Sequence, residues 1–346
     1  MSEIKIYRKS VNTDDMKFYN IAEEVFSISG IFKENGLYRR LPEAVAKTVN
    51  AGVNEYHSVT SGGRVRFKTD SSCIAIKVKM GIINLDSNAP VTANAGFDLY
   101  ERKNNRQYFV KNFMPPFEMT ETYEDVINLQ GREFKEYVIN FPMWSEVAEL
   151  YIGVDKEARL EKADDYTVKT PVVFYGSSIT MGKCFSRPGC SYENILSQRL
   201  DFDYINLGFG GSAKGEQEIA DYIAGLDMSV FVLDYDWNAP DVEYLKETHE
   251  RFYKTVRKAH KDIPIIMMSR PKYYLSEEEK LRRQVVEETY KNALERNENV
   301  YFIYGNTLMD DKVRDNGTVD GVHPNDAGFM SMANVIEPVL KKALKL

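Results

Sequence analysis

The sequence predicts an α/β fold: a three-layer domain on a parallel sheet, preceded by an antiparallel β-sandwich of jelly-roll type. Three observations carry that expectation. From about residue 20 to 155, apolar residues alternate with polar ones at period two. After the charged connector "DKEARLEKADDYTVKT", short apolar runs alternate instead with helical stretches. The length of 346 residues also suits two domains better than one. The change of period sets expected boundaries at 1–160 and 168–346.

In the first half, "RVRFKTD" places Val65 and Phe67 on one face and Arg64, Arg66 and Lys68 on the other. "CIAIKVKM" sets Ile74, Ile76, Val78 and Met80 opposite Cys73, Ala75, Lys77 and Lys79. Such alternation predicts one buried and one wet face, as in antiparallel sheet. "GFDLYERKNNRQYFVKNF" reads as a hairpin turning at Lys103-Asn104-Asn105-Arg106, and "EYVINFP" and "ELYIGVD" add two strands. Many short strands without a long helix predict a sandwich.

In the second half, strands are expected at 172–175, 203–207, 229–234, 263–268 and 300–304. Helices are expected near 190–200, 215–225, 240–260 and 277–297, with a last one from about 326. Ser276 followed by Glu279 fits a capping box. In the last helix Phe329, Met332, Ala333, Ile336 and Leu340 share one face, and Pro338 should kink it. Strands alternating with helices imply a parallel sheet covered on both sides, with the ligand crevice at the strands' carboxyl ends.

Composition excludes several classes of function. With 43% hydrophobic and 28% charged residues the chain has the make-up of a soluble globular protein. A balance of 45 Lys+Arg against 52 Asp+Glu, net −7, offers no basic face for nucleic acid. No run approaches the roughly 20 apolar residues of a membrane helix, so no membrane partner is expected. "MSEIKIYRKSVNTDD" holds no signal-like apolar stretch, and the odd set Cys73, Cys184 and Cys190 makes no disulfide framework. A reduced, cytoplasmic protein is the expectation, with Cys184 and Cys190 as free thiols and not a bridge.

Four strand ends on the expected crevice edge carry unusual residues: Gly176-Ser177-Ser178, "NLGFGGSA" from Asn206, Asn238 after "LDYDW", and Asp320 three residues before His323. Ester cleavage asks for these types. A serine hydroxyl needs a neutral imidazole to take its proton, and the imidazole needs a carboxylate that fixes its tautomer. Donors must face the oxyanion, each contributing about 2.7–4 kcal/mol to the transition state. Spacing alone does not choose between Ser177 and Ser178. Gly208, Gly210 and Gly211 read equally as close helix–strand packing, and Asn238 as a helix cap.

On these residues, 168–346 resembles the SGNH hydrolase superfamily, or GDSL esterases, whose three-layer domain is flavodoxin-like. Matching G-D-S-L to Gly176-Ser177-Ser178-Ile179 implies Ser178 as nucleophile. The resemblance further implies Asp320 and His323 as its triad partners, and Ser178, Gly211 and Asn238 as the oxyanion hole. "YGSSIT…SRPG…INLGFGG…TVDGVHP" resembles a bacterial branch in which a β domain carries a G-x-D-L-Y signature, here Gly96-Phe97-Asp98-Leu99-Tyr100. Two departures stand out: Ser177 replaces the usual Asp, and Asp234-Tyr235-Asp236-Trp237-Asn238 replaces the usual G-x-N-D.

Other residues read more plainly. His249 shares an apolar helix face with Leu245, Phe252 and Val256, as a structural histidine would, and His57 and His260 have no constellation around them. Asp320, His323 and Asp326 on one short loop are poor zinc ligands, so neither metal nor cofactor is expected. Arg187 either lines the pocket or anchors its loop; Trp237 either stacks on a sugar or belongs to the core. Gly96 to Tyr100 read as structural. The expected function is a serine esterase that removes short acyl groups, acetyl first, from a hydroxylated substrate; the resemblance implies an acetylated carbohydrate, and a cytoplasmic location suits one of oligosaccharide size. The alternatives are a lysophospholipase or thioesterase on the same scaffold, and a non-catalytic carbohydrate-binding protein. Subunit pairing into a homo-oligomer stays open.

Overall fold

Strand order decides where chemistry can sit on a parallel sheet, and here it is permuted once. The computed structural model describes residues 12–346; the first eleven residues, part of the N-terminal stretch and of the expected 1–160 unit, lie outside the described residues. The parallel sheet runs Phe202–Gly208, Val168–Gly176, Val230–Asp234, Ile265–Met268, Val300–Ile303 from edge to edge. Its first strand in sequence is therefore second in space, the 2-1-3-4-5 order of flavodoxin-like folds, with its switch point between the first and third strands.

The central strands Val230–Asp234 and Ile265–Met268 and the end of Val168–Gly176 are buried on both faces, which is why these runs read as continuous apolar stretches. Phe174, Tyr204 and Val232 face one layer, formed by helices Tyr192–Leu200 and Asp326–Leu344. Val173, Tyr175 and Leu233 face the other, formed by Gln217–Ala224, Val242–Ala259 and Glu277–Glu295. The Ser276–Glu279 capping box is present in both directions. Phe329, Met332, Ala333, Ile336 and Leu340 are all buried, and the last helix runs through Pro338 as one element. Among the described residues no helix is long and apolar enough to cross a membrane.

The N-terminal half is a sandwich of a four-stranded and a six-stranded antiparallel sheet. The hairpin Phe97–Lys103 and Arg106–Phe113 turns at Asn104 and Asn105, with φ of 53° and 57°. Asparagine tolerates that left-handed pair, as a two-residue turn requires. Two short helices, Glu43–Val49 and Ala51–Tyr56, were not legible, being too short for a clear period.

One expectation is corrected. The face of strand Arg64–Thr69 carrying Arg64 and Arg66 is not wet; both side chains are almost fully buried. That face packs against the parallel-sheet half. Arg64 lies 3.7 Å from the Tyr204 ring centroid and pairs with Asp203 at 2.5 Å, while Arg66 stacks on Tyr166 at 3.7 Å. Alternation alone cannot tell a face turned to water from one turned to a neighbouring domain. The charged connector likewise contains a short strand, Leu160–Lys162, added beside Arg64–Thr69.

Candidate active site

Strand Val168–Gly176 ends at the switch point, and the chain turns at once into a one-turn helix, Ser178–Met181. Gly176 permits the turn: a Cβ there would lie 2.2 Å from Thr180 Oγ1 and 2.3 Å from Asp234 O. Gly208 on the neighbouring strand does the same for packing, since a Cβ would meet Met181 N at 2.2 Å. Ser177 caps the helix, its Oγ accepting from Ile179 N at 3.2 Å. That leaves Ser178 Oγ, which lies 2.9 Å from His323 Nε2. The two serines are separated by what each hydroxyl bonds, a distinction that spacing could not make.

His323 comes from the loop before the last helix. Gly321, with φ of 82°, turns that loop back so that Val319 N donates to His323 O at 2.9 Å. His323 Nδ1 is 2.7 Å from Asp320 Oδ2, and Asp320 Oδ1 accepts the N–H groups of Val322 at 3.0 Å and His323 at 2.8 Å. Partial burial raises the Asp320 carboxyl, but these hydrogen bonds outweigh it and hold the group down at about 2. With a carboxylate on Nδ1, the imidazole carries its proton there and presents Nε2 as an acceptor to the serine.

Candidate donors come from three strand ends. Ser178 N begins the short helix, and Gly211 lies in the turn after strand Phe202–Gly208. Among the described residues neither N–H has a hydrogen-bond acceptor. Gly211 takes φ of 66° and nothing lies within 4 Å of where its Cβ would stand, so the backbone is open to a ligand. Asn238 follows strand Val230–Asp234 and donates one amide N–H to Phe209 O at 3.1 Å; an amide has a second. Trp144 and Ser178 both approach this loop at Gly210. A Cβ on Gly210 would sit 3.5 Å from Ser178 Cβ and 3.8 Å from the Trp144 indole.

Two expected substrate contacts sit differently. Arg187 anchors its loop: it pairs with Asp98 at 3.1 Å, bonds the Tyr100 hydroxyl and stacks on Phe109 at 3.8 Å. The G-x-D-L-Y residues Asp98 and Tyr100 are thus spent on this loop, and Asp98 also accepts from Gly189 N at 2.7 Å. Trp237 is 38% exposed and carries the Arg270 guanidinium over its ring at 3.1 Å.

Asp326 does not join Asp320 and His323; it accepts both the N–H and the hydroxyl of Ser186. Cys184 does join them, and the donor atoms of Cys184, Asp320 and His323 lie within 4.8 Å of one another. Burial pushes the Cys184 thiol up to about 12, so with no metal bound it is a protonated thiol at neutral pH. Cys190 is raised to about 12 and Cys73 to about 11 for the same reason, and all three are free. His249 is buried against Thr289 Oγ1 at 2.8 Å, and burial drives it down to about 3, a neutral structural histidine. Sequence reasoning missed Trp144, Asn88 and Arg40, which reach the site from the β half. Arg40, fully buried, donates to the Asn206 and Gly208 carbonyls beneath the Gly211 turn at 3.1 and 2.9 Å.

Comparison with known proteins agrees with this fold. The model of the GDSL-like lipase/acylhydrolase family matches residues 169–341. The GxDLY model, the N-terminus of SGNH-hydrolase-type esterases, matches 16–160. A Bacteroides ovatus protein assigned as a GDSL-like lipase is 28% identical over 95% of this chain and 98% of its own, with a TM-score of 0.85. The salicylyl-acyltransferase SsfX3 of a tetracycline biosynthetic pathway shares the fold at 16% identity, 96% and 98% coverage and a TM-score of 0.77. The acetyl xylan esterase Est2A of the rumen bacterium Butyrivibrio proteoclasticus shares it at 12% identity, 95% and 99% coverage and a TM-score of 0.62. No curated protein matches the sequence. Matched over both halves, the chain belongs to the GDSL-like lipase/acylhydrolase family and is a carboxylic ester hydrolase.

Proposed function

We propose that the chain is a serine acetylesterase acting on acetylated carbohydrate of oligosaccharide size, in the cytoplasm, with a catalytic unit of residues 168–346 and a β unit of residues 1–160. The observation that carries this reading is the bonded chain Ser178 Oγ, His323 Nε2, His323 Nδ1, Asp320 Oδ2, at 2.9 and 2.7 Å. Ser178 Oγ attacks the acyl carbon as its proton passes to His323 Nε2. The Ser178 and Gly211 N–H groups and the Asn238 amide hold the oxyanion. As the ester C–O bond breaks, His323 gives the proton to the leaving alkoxide. Water then attacks the acyl-serine as its proton passes to His323, and as the Ser178 Oγ–acyl bond breaks His323 returns that proton to Oγ and the acid leaves. Asp320 stays ionised and orients the ring throughout.

The short acyl preference is supported by Trp144, which approaches Gly210 beside Ser178. The sugar is supported by the half-exposed Trp237 beside Asn238, and by the acetyl xylan esterase among the proteins of like fold. Aryl acetate hydrolysis tests the mechanism. Ser178→Ala should abolish it and block labelling by a fluorophosphonate; turnover retained in that variant identifies another nucleophile. The kcat/KM profile should rise with pH, because only the neutral imidazole accepts the serine proton. Asp320, held near 2, is already ionised across pH 5–8, so it does not supply that limb. Acetate release from acetylated oligosaccharides, set against decanoyl aryl esters, tests the substrate class.

A further inference from the structure

The segment between strands Cys73–Met80 and Phe97–Lys103 belongs to the β half, yet it touches both loops of the site. Asn88 Nδ2 donates to Asp320 Oδ2 at 3.2 Å, the same oxygen that bonds His323 Nδ1. Two residues earlier, Asp86 pairs at 3.0 Å with Lys183, on the loop just past Ser178. Thr92 Oγ1 donates to Ser186 O on that loop at 2.7 Å. The segment is itself braced. Asp86 accepts the Asn88 N–H at 2.8 Å, buried Asn94 donates to Ala89 O at 3.1 Å, and Asn84 donates to Trp144 O at 3.0 Å.

We propose that Asn88 is a positioning residue for the Asp320–His323 pair, and that residues 84–94 tie the serine-bearing loop to the histidine-bearing loop. The proposal rests on the esterase reading above. Asp320 needs such help because its side chain is 28% exposed and its loop is an outer turn. A carboxylate oxygen with one donor can swing toward water. Asn88 adds a second donor to Oδ2, beside the two backbone N–H groups on Oδ1, and so helps hold the carboxylate and with it the ring that delivers Nε2 to Ser178. Asn88 touches no reacting atom and acts only through Asp320. The titratable groups facing this pair are Asp86, Lys183 and Cys184.

The test uses the full chain and an aryl acetate. Loss of one hydrogen bond to a charged group predicts a fall in kcat of about tenfold for Asn88→Ala, with KM within about twofold. Asn88→Asp keeps the shape but sets a second carboxylate against Oδ2, favouring the imidazolium. Its acid limb should move to higher pH, and it keeps the test open if the alanine variant fails to fold. In an Asp320→Ala background, Asn88→Ala should cause no further loss. A kcat within about twofold of wild type with an unmoved acid limb overturns the proposal. So does an equal loss with and without Asp320, which would assign the effect to the fold alone. Failure of the esterase reading is seen separately, as turnover that survives Ser178→Ala or is absent from the wild-type chain.

Discussion

Ser177 and Ser178 are adjacent, nearly identical in chemistry, and spent on opposite tasks. Ser177 closes a helix end, and Ser178 is left with the imidazole. Trp144 shows a comparable economy, since one indole both packs on Tyr56, with ring centroids 5.2 Å apart, and approaches Gly210 beside Ser178. Its truncation is therefore expected to change selectivity before it changes stability. A methylene in an apolar pocket is worth about 1–3 kcal/mol in discrimination. Trp144→Ala should accordingly raise the butyryl-to-acetyl ratio of kcat/KM by about tenfold or more. Parallel assays of the two aryl esters check this, and an unchanged ratio would remove Trp144 from the acyl side.

At the level of elements, helix Tyr192–Leu200 buries a glutamate in its first turn. Burial pushes the Glu193 carboxyl well above its ordinary range, so the folded chain keeps that proton to higher pH than the unfolded chain does. The unfolded chain releases that proton once pH passes the ordinary glutamate value. Between the two values the unfolded state binds fewer protons, so stability falls as pH rises. Glu193→Gln removes that slope. Urea denaturation should find it more stable than wild type at pH 7 and close to it at pH 4; the same difference at both values would refute the account. Elements of this half were legible because a buried parallel strand is a short apolar run and a covering helix has its own period. Ser178, Asp320 and His323 were legible because each directly follows a strand end or sits in a compact motif. Asn88 and Trp144 were not. They lie 232 positions from Asp320 and in a loop of the other half respectively, and nothing local in sequence marks a contact made only after two units dock.

Across the whole molecule, the two halves are joined by buried charge. Arg66, Glu136, Arg102 and Asp201 form a line of ion pairs, at 3.3, 2.9 and 2.6 Å, that crosses from the six-stranded sheet to the start of strand Phe202–Gly208. Removing one member of a buried pair leaves the other uncompensated, at about 3–5 kcal/mol. Arg102→Ala is expected to lose about that much, read as a lower urea midpoint, because buried Asp201 loses its paired cation and keeps only the Thr167 donors. A loss below about 1 kcal/mol would mean the junction is held mainly by its apolar contacts. The three cysteines have a practical consequence. Alkylating agents and peroxide act on thiolates, and this chain offers almost none at neutral pH. Handling in air without reductant should leave turnover intact, even though one sulfur lies a few ångströms from the reacting imidazole.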